Sequence, residues 1–274
     1  MGKFDGILIC TDLDGTLLRN DKTISDENRE AIEYFKREGG YFTFVTGRMY
    51  FTARRLYDMV KPNAPIGCIN GGGIYDYEQE KYLWSMILPE GAKELVGAVY
   101  DAVPSAGIQM NALDAIYFCR DNDAMYHFRK RTGATFLQGD YRTIDVPVGK
   151  VVFGDEEENI QKVVEVLSNH PRSKEFDYIR SERTLYEILP KGSSKGNLLI
   201  KLAEILGVDA RKTVAIGDYN NDVSMIKAAG VGIAVSNAVE EAKAAADIVT
   251  VSNEEHAIAK IIEMIDSGEI IFEK

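Results

Sequence analysis

The chain has 274 residues, of which 45% are hydrophobic and 27% are charged, a balance that excludes wholesale disorder. The 43 acidic and 32 basic residues leave a net charge of −11, which disfavours binding to nucleic acid or to an anionic membrane surface. The three cysteines are too few and too scattered for a disulfide framework. Because no apolar run approaches the ~20 residues of a membrane helix and the first residues lack a secretory pattern, we expect a cytoplasmic protein. The sequence leaves the oligomeric state open.

Strands and helices alternate over the first third of the chain. Short apolar runs predict strands at residues 7–11, 41–45 and 66–69. Ser25 is the predicted N-cap of a helix that ends at Gly39, and a second helix follows the second strand. Strands that are separated by helices at this spacing favour a parallel sheet with right-handed crossovers.

The same alternation returns in the last third of the chain. Helices are predicted at residues 194–206, 222–229 and 254–265. The predicted strands are residues 213–216, 232–235 and 248–251. The last helix carries isoleucines on one face, as expected for a helix that packs against a sheet. Both ends of the chain are therefore predicted to build one α/β unit.

The middle of the chain differs, because its predicted strands come in adjacent pairs. These pairs, whose compact turns indicate hairpins, are residues 108–112 with 115–119 and residues 176–180 with 185–189. The helices predicted between them are residues 92–103, 123–131 and 156–168. We therefore predict a doubly wound, Rossmann-like α/β core formed by residues 1–83 and 190–274, with an α+β unit inserted at residues 84–189.

Four polar clusters lie where predicted core strands end or where a core helix begins. They are residues 12–16 (DLDGT), 46–48 (TGR), 191–196 (KGSSKG) and 217–222 (GDYNND). Ligands of a parallel sheet bind beyond the carboxyl ends of its strands. Clusters that are far apart in the sequence are therefore predicted to converge on one site.

The first two clusters can each be interpreted in two ways. Asp12 and Asp14 are two residues apart in an extended segment, so both carboxylates can face one reacting centre, although a simple strand-to-loop turn would also use such residues. Thr46 and Gly47 can form a small anion-binding turn, or they can merely cap a helix. Neither cluster decides the function alone.

The last two clusters point to an anion and to a cation. Lys195 stands in the first turn of a helix, where the dipole disfavours it, so we expect a nearby anion unless the lysine is simply solvated. Asp218, Asn221 and Asp222 offer oxygen ligands suited to Mg²⁺. The spacing of the third cluster departs from that of a P-loop, which disfavours nucleotide binding by that route. No Gly-x-Gly-x-x-Gly follows a predicted strand, which excludes a dinucleotide-binding oxidoreductase.

The ordered set Asp-x-Asp-Gly-Thr, Thr-Gly-Arg, Lys-Gly and Gly-Asp-x-x-Asn-Asp resembles the haloacid dehalogenase (HAD) superfamily. The inserted unit is similar to the C2B-type cap of the Cof-type branch, subclass IIB, whose members are mostly sugar-phosphate and small-metabolite phosphatases. The resemblance covers the whole chain. One departure is the run of glycines from Gly71 to Gly73, where relatives often have a small side chain.

The resemblance implies a role for each residue of the clusters. Asp12 would be the nucleophile, and Asp14 would be an acid and base that starts protonated. The implied contacts to the substrate phosphate are the backbones of Leu13 and Gly47 and the side chains of Thr46, Lys195 and Asn221. The implied Mg²⁺ ligands are Asp12, the backbone carbonyl of Asp14, and Asp218. Asp222 would support these ligands, and Arg48 and Asn70 would lie beside the substrate.

The resemblance implies a Mg²⁺-dependent phosphatase that hydrolyses small phosphorylated metabolites, such as sugar phosphates, through a phospho-aspartyl intermediate on Asp12. The partner would be the small phosphate ester itself. Two alternatives stay open. A phosphomutase or phosphotransferase would pass the phosphoryl group from Asp12 to a sugar, and a metabolite-binding regulator would keep the pocket without turnover.

Overall fold

A computed structural model describes residues 2–133 and 135–272 of the chain. The strands, in chain order, are β1 (Leu8–Thr11), β2 (Tyr41–Phe44), β3 (Ile66–Cys68), β4 (Gly73–Asp76), β5 (Lys81–Ser85), β6 (Gly107–Ala112), β7 (Ile116–Arg120), β8 (Leu137–Gln138), β9 (Val148–Gly154), β10 (Phe176–Glu182), β11 (Leu185–Pro190), β12 (Thr213–Gly217), β13 (Val231–Ala234) and β14 (Ile248–Val249). The helices are α1 (Asp26–Arg37), α2 (Tyr50–Val60), α3 (Ala92–Ala102), α4 (Asp123–Thr132), α5 (Glu157–Asn169), α6 (Lys195–Leu206), α7 (Val223–Ala228), α8 (Glu240–Ala245) and α9 (Ala257–Ser267). Among the described residues, no helix has both the length and the apolar character needed to cross a bilayer.

The chain divides into two units. The core unit contains the residues up to Trp84 and those from Ser194 onward, and the inserted unit is Ser85–Ser193. In the core unit, five parallel strands are ordered β14-β13-β12-β1-β2. The prediction of an α/β fold with a parallel sheet is confirmed.

The central strand of the core sheet, β1, is buried along its whole length. It pairs with β12 on one side and β2 on the other, and Thr11 is in register with both Ile216 and Phe44. The residues that follow these three strands therefore start at the same level of the sheet. This register, which joins distant parts of the chain, positions the polar clusters.

The apolar run at residues 66–69 is a strand, but it does not extend the parallel sheet as the alternation predicts. In the described residues, β3 pairs antiparallel with β4 in a sheet ordered β3-β4-β5, and one parallel bridge, from Val45 to Gly67, links it to the end of β2. The reason is local, because the turn that follows Cys68 reverses the chain after three strand residues. A side chain at Gly67 would also clash with Leu198, so the approach to the core is close.

The helices of the core unit begin and end close to the predicted positions. Ser25 caps α1, its Oγ accepting a hydrogen bond from the Asn28 amide at 3.2 Å. The last helix begins later than predicted, because Ser252 and Glu255 form a capping box around a short 3₁₀ turn and α9 starts only after His256. Its isoleucines are buried as expected.

The inserted unit contains a six-stranded sheet ordered β10-β11-β9-β6-β7-β8, with α3 and α5 packed on one face through a shared apolar cluster. Both expected hairpins, β6 with β7 and β10 with β11, are present. The central strand β9 was not predicted. Its Lys150 is buried, and the charge is neutralised by Glu187 of β11, with 2.8 Å between Nζ and Oε2.

Candidate active site

Three carboxylates meet at the carboxyl end of the core sheet. Asp12 directly follows β1, and Asp218 and Asp222 lie in the loop that follows β12. One oxygen of each lies within 4.8 Å of an oxygen of the others. The pairing of β1 with β12 thus brings together two clusters from opposite ends of the sequence, as the motifs predict.

Lys195 lies between two of these carboxylates. It is the first residue of α6, which Ser194 caps by accepting a hydrogen bond from the Asn197 amide at 3.0 Å. Its buried Nζ donates to Asp12 Oδ1 and to Asp222 Oδ1, both at 2.6 Å. Burial alone would lower the pKa of Lys195, but the two carboxylates outweigh it and raise the pKa. Lys195 is therefore a buried, fully charged ammonium group.

Asp222 holds the surrounding groups in position. Its Oδ2 accepts hydrogen bonds from the backbone amides of Asp218 and Tyr219, each at 3.0 Å, while its Oδ1 accepts from Lys195. A Cβ on Gly217 would lie 2.3 Å from the Asp222 Cβ, so glycine is required where the strand ends. Since both oxygens are engaged, the geometry favours a supporting role for Asp222.

Asp12 and Asp218 differ from Asp222, because each has one carboxylate oxygen that accepts no hydrogen bond from any residue that the structure describes and can bind a ligand. Thr16 donates to Asp218 Oδ1 at 2.8 Å, and Lys195 occupies Asp12 Oδ1. Among the described residues, no hydrogen bond reaches Oδ2 of either carboxylate. Burial, together with repulsion from neighbouring carboxylates, raises the pKa of Asp12 well above its usual range. The same causes raise the pKa of Asp218 to about 6.

This donor set fits a divalent cation. Carboxylates that are crowded together and partly desolvated bind protons or cations to relieve their repulsion. A hard ion such as Mg²⁺ prefers carboxylate and carbonyl oxygens, which Asp12, Asp218 and the loop backbone supply.

Asp14 is in an environment that the sequence did not predict. Its side chain, which is 40% exposed, forms ion pairs with Arg48 at 2.9 Å and with Lys22 at 2.8 Å. Burial favours the neutral form, but the two cations outweigh it and hold the pKa of Asp14 below its usual range. In this structure the carboxyl is therefore ionised, whereas an acid that starts protonated was expected.

The turn after β2 lies on the opposite side of β1 from the loop that follows β12. Thr46 is buried, and its Oγ1 accepts a hydrogen bond from the Arg48 amide at 3.3 Å. A Cβ on Gly47 would lie only 2.7 Å from Asn70 Oδ1. The Leu13 side chain is fully buried, so only its backbone can contact a ligand. A role for Thr46, Gly47 and Leu13 in binding an anion stays a prediction.

A left-handed turn joins this region to the start of α6. Ile69, Asn70 and Gly71 have φ values of 59°, 50° and 101°. Left-handed conformations of non-glycine residues cost about 1–3 kcal/mol each, and they are rarest for β-branched residues such as isoleucine. A Cβ on Gly71 would lie 2.2 Å from the Ser194 carbonyl carbon. The unusual glycine at this position thus permits close packing against α6.

Sequence reasoning gave no role to three residues of this region. Thr16 belongs to the first motif, and its hydroxyl donates a hydrogen bond to Asp218. This contact depends on the pairing of β1 with β12, so the sequence alone does not show it. Lys22 lies on an exposed loop in a left-handed conformation, without any pattern that would link it to Asp14. The positive φ of Ile69 could not be predicted, because Ile69 belongs to an apolar run that is typical of a strand.

Comparison with known proteins identifies the family of this chain. The family model for haloacid dehalogenase-like hydrolases matches residues 9–262. The chain belongs to this family. A relative from Bacillus subtilis, 5-amino-6-(5-phospho-D-ribitylamino)uracil phosphatase YwtE, is 33% identical over 95% of this chain and 98% of its own. This HAD-family protein is a phosphatase.

Solved structures of the HAD family share this fold. A haloacid dehalogenase-like hydrolase from Bacteroides thetaiotaomicron has a TM-score of 0.82 and 29% identity, covering 94% of this chain and 99% of the other. The subclass IIB sugar phosphatase BT4131 has a TM-score of 0.81 and 21% identity, covering 96% of this chain and 100% of the other. The likeness covers nearly the whole of each chain, and at 21% identity the subclass IIB structure shows the shared fold.

Proposed function

We propose that this phosphatase depends on Mg²⁺ and hydrolyses small phosphorylated metabolites, with sugar phosphates or phosphorylated sugar alcohols as substrates, through a phospho-aspartyl intermediate on Asp12. The observation that carries the proposal is the convergence of Asp12 and Asp218 beside the buried ammonium group of Lys195. The 33% identical relative is named for a substrate whose phosphate is on a ribitylamino group, which supports the substrate class.

Asp12 would attack phosphorus, so that an Asp12 O–P bond forms while the P–O bond to the leaving alkoxide breaks. Lys195 already contacts the Asp12 carboxylate, and its charge would offset the repulsion between that carboxylate and the phosphate. Water would then attack the phosphorus of the intermediate, which regenerates Asp12 and releases phosphate. Mg²⁺, held by Asp12, Asp218 and the Asp14 carbonyl, would add positive charge at the transferring oxygens.

The remaining residues of the site would bind the phosphate and move protons. Thr46 and Asn221, with the backbones of Leu13 and Gly47, would donate hydrogen bonds to phosphate oxygens. Asp14 would protonate the leaving alkoxide and then accept a proton from the attacking water. Because Arg48 and Lys22 hold Asp14 ionised, we propose that the substrate's negative charge raises its pKa and competes for Arg48.

The inserted unit, which is predicted at residues 84–189 and forms a compact unit at Ser85–Ser193, would serve as the cap that selects the leaving group. A cytoplasmic location remains part of the proposal, since no disulfide joins Cys10, Cys68 and Cys119 in the described part of the chain.

An assay of phosphate release from sugar phosphates, nucleotides and cofactor phosphates tests the proposed function. We expect turnover without any added acceptor, complete loss of activity in EDTA, and recovery on adding excess Mg²⁺. Release that requires an acceptor sugar would instead favour a phosphotransferase. Activity that persists in EDTA would contradict the metal dependence.

The affinity of the free protein for Mg²⁺ should depend on pH. Since the pKa of Asp218 is about 6 without a metal, the proton and the cation compete below that pH. We expect nearly constant affinity from pH 7 to 8, then a loss of up to about tenfold per pH unit below 6. Calorimetric titration with MgCl₂ measures this profile. A flat profile from pH 5 to 8 would contradict competition between a proton and Mg²⁺ at Asp218.

The Arg48→Met substitution should move the pH profile of the enzyme. Arg48 lowers the pKa of Asp14, so its removal raises that pKa. If Asp14 must be protonated to act as the acid once the substrate is bound, the alkaline limb of kcat then moves to higher pH. Lys22→Met should cause a smaller shift, because Lys22 is 51% exposed whereas Arg48 is 17% exposed. Arg54→Met, on the exposed face of α2, is the control. An unmoved limb would contradict this role of Asp14.

A further inference from the structure

The left-handed turn at Ile69, Asn70 and Gly71 has contacts that the proposed mechanism does not use. The Ile69 amide donates to the Arg48 carbonyl at 3.0 Å, and the Asn70 amide donates to the Thr46 carbonyl at 3.2 Å. These two bonds attach the turn to the anion-binding segment after β2. Gly71 packs against the backbone of Ser194 and Lys195 at the start of α6. The turn therefore connects two of the elements that would hold the phosphate.

The side chain of Asn70 reaches the third of these elements. Asn70 is 3% exposed, and its Oδ1 accepts a hydrogen bond from Asn221 Nδ2 at 3.1 Å. Gly47 lies against the same amide, since a Cβ on Gly47 would be 2.7 Å from Asn70 Oδ1. A conformation that is strained at Ile69 and Asn70 is thus maintained where it brings an amide oxygen against Asn221.

The hydrogen bond between Asn221 and Asn70 affects which way the Asn221 amide is oriented. A carboxamide group is planar, with an oxygen that accepts and a nitrogen that donates two hydrogen bonds, and rotation by 180° exchanges them. If Asn221 presents its oxygen to a phosphate, the interaction is repulsive. Because Asn70 Oδ1 can only accept, it favours the orientation of Asn221 in which one N–H points to Asn70. The second N–H of the same nitrogen is then available to a phosphate oxygen.

We propose that Asn70 is a positioning residue that acts through Asn221, fixing the orientation in which the Asn221 amide donates to the substrate phosphate. This inference rests on the proposed function, because it takes Asn221 as a phosphate contact. It differs from the role implied by family resemblance, in which Asn70 lies beside the substrate itself.

The test measures the affinity of the Mg²⁺-saturated full-length protein for inorganic phosphate, together with the thermal midpoint of each variant. Asn70→Ala and Asn70→Gly both remove the amide, but glycine adopts a φ of 50° without strain, whereas alanine does not. We expect both variants to bind phosphate at least about twofold more weakly, because the Asn221 amide then adopts both orientations and only one of them donates to phosphate. Of the two, Asn70→Gly should have the higher Tm. Asn220→Ala, in the exposed part of the same loop, should bind as the wild type does.

A double-substitution cycle decides whether Asn70 acts through Asn221. If it does, Asn70→Ala should add no further loss of phosphate affinity in an Asn221→Ala background. Additive losses would overturn the inference, and so would wild-type affinity in Asn70→Ala. Wild-type affinity restored in Asn70→Gly would also overturn it, because the loss would then stem from the backbone. If the wild-type protein neither binds phosphate nor releases it from esters, the proposed function itself fails.

Discussion

Asp12→Asn should reduce the rate of phosphate release by about 10⁴-fold or more, the scale seen when a covalent nucleophile is removed. An amide has the same shape as the carboxylate but is too weak a nucleophile to form the phospho-enzyme. The oxygen of the substituted amide can still accept a hydrogen bond from Lys195, as the Asp12 carboxylate does, so the fold should be retained. Steady-state phosphate release and circular dichroism of the variant measure both expectations.

The matched control for this variant is Asp58→Asn, which neutralises an exposed carboxylate of the same unit that is paired with Arg54 on α2. Its turnover should equal that of the wild type, because surface ion pairs contribute little. If Asp12→Asn folds correctly and still releases phosphate at a rate near that of the wild type, Asp12 is not the nucleophile.

Lys195→Met should lower both the activity and the stability of the protein. Lys195 is the buried cation between Asp12 and Asp222, and its loss leaves two buried carboxylates without their partner. Breaking a buried ion pair in this way typically costs about 3–5 kcal/mol of unfolding free energy. The loss of charge beside the phosphate should also reduce kcat/KM by about 10²–10³-fold. Urea unfolding and steady-state kinetics provide the two measurements.

Lys201→Met is the control for this second variant. Lys201 lies on the same helix, α6, and its partner Glu204 is solvent-exposed. Its removal should change the unfolding free energy by less than about 1 kcal/mol. A Lys195→Met variant that is as stable as Lys201→Met would mean that the buried pairs with Asp12 and Asp222 do not form in solution.

The sequence predicted those features of the fold that depend on local patterns. Alternating strands and helices indicate the parallel sheet, because a helix that connects two strands of one sheet normally returns the chain in the parallel direction. The cap at Ser25 is also a local pattern, because a serine precedes the apolar positions of α1. The meeting of Asp12 with Asp218 was predictable too, since both follow buried strands whose carboxyl ends share one edge.

Other features depend on contacts between distant segments, and they carry no local signal. The strand β9 contains a lysine that is acceptable in a sheet interior only because Glu187 of another strand neutralises it. The ion pairs of Asp14 involve Lys22, which lies on an exposed loop, and Arg48, which follows a different strand. The positive φ of Ile69 is imposed by hydrogen bonds to the segment after β2 and by packing on α6, and not by its own preference.

The most direct test of the account is a crystal structure of the protein with Mg²⁺ and beryllium fluoride, which mimics an aspartyl phosphate. We expect beryllium bonded to a carboxylate oxygen of Asp12, with one magnesium ion bound by both Asp12 and Asp218. Lys195 should contact the fluoride group or the Asp12 carboxylate. Beryllium fluoride on any other residue, or a magnesium ion that does not contact both Asp12 and Asp218, would contradict it.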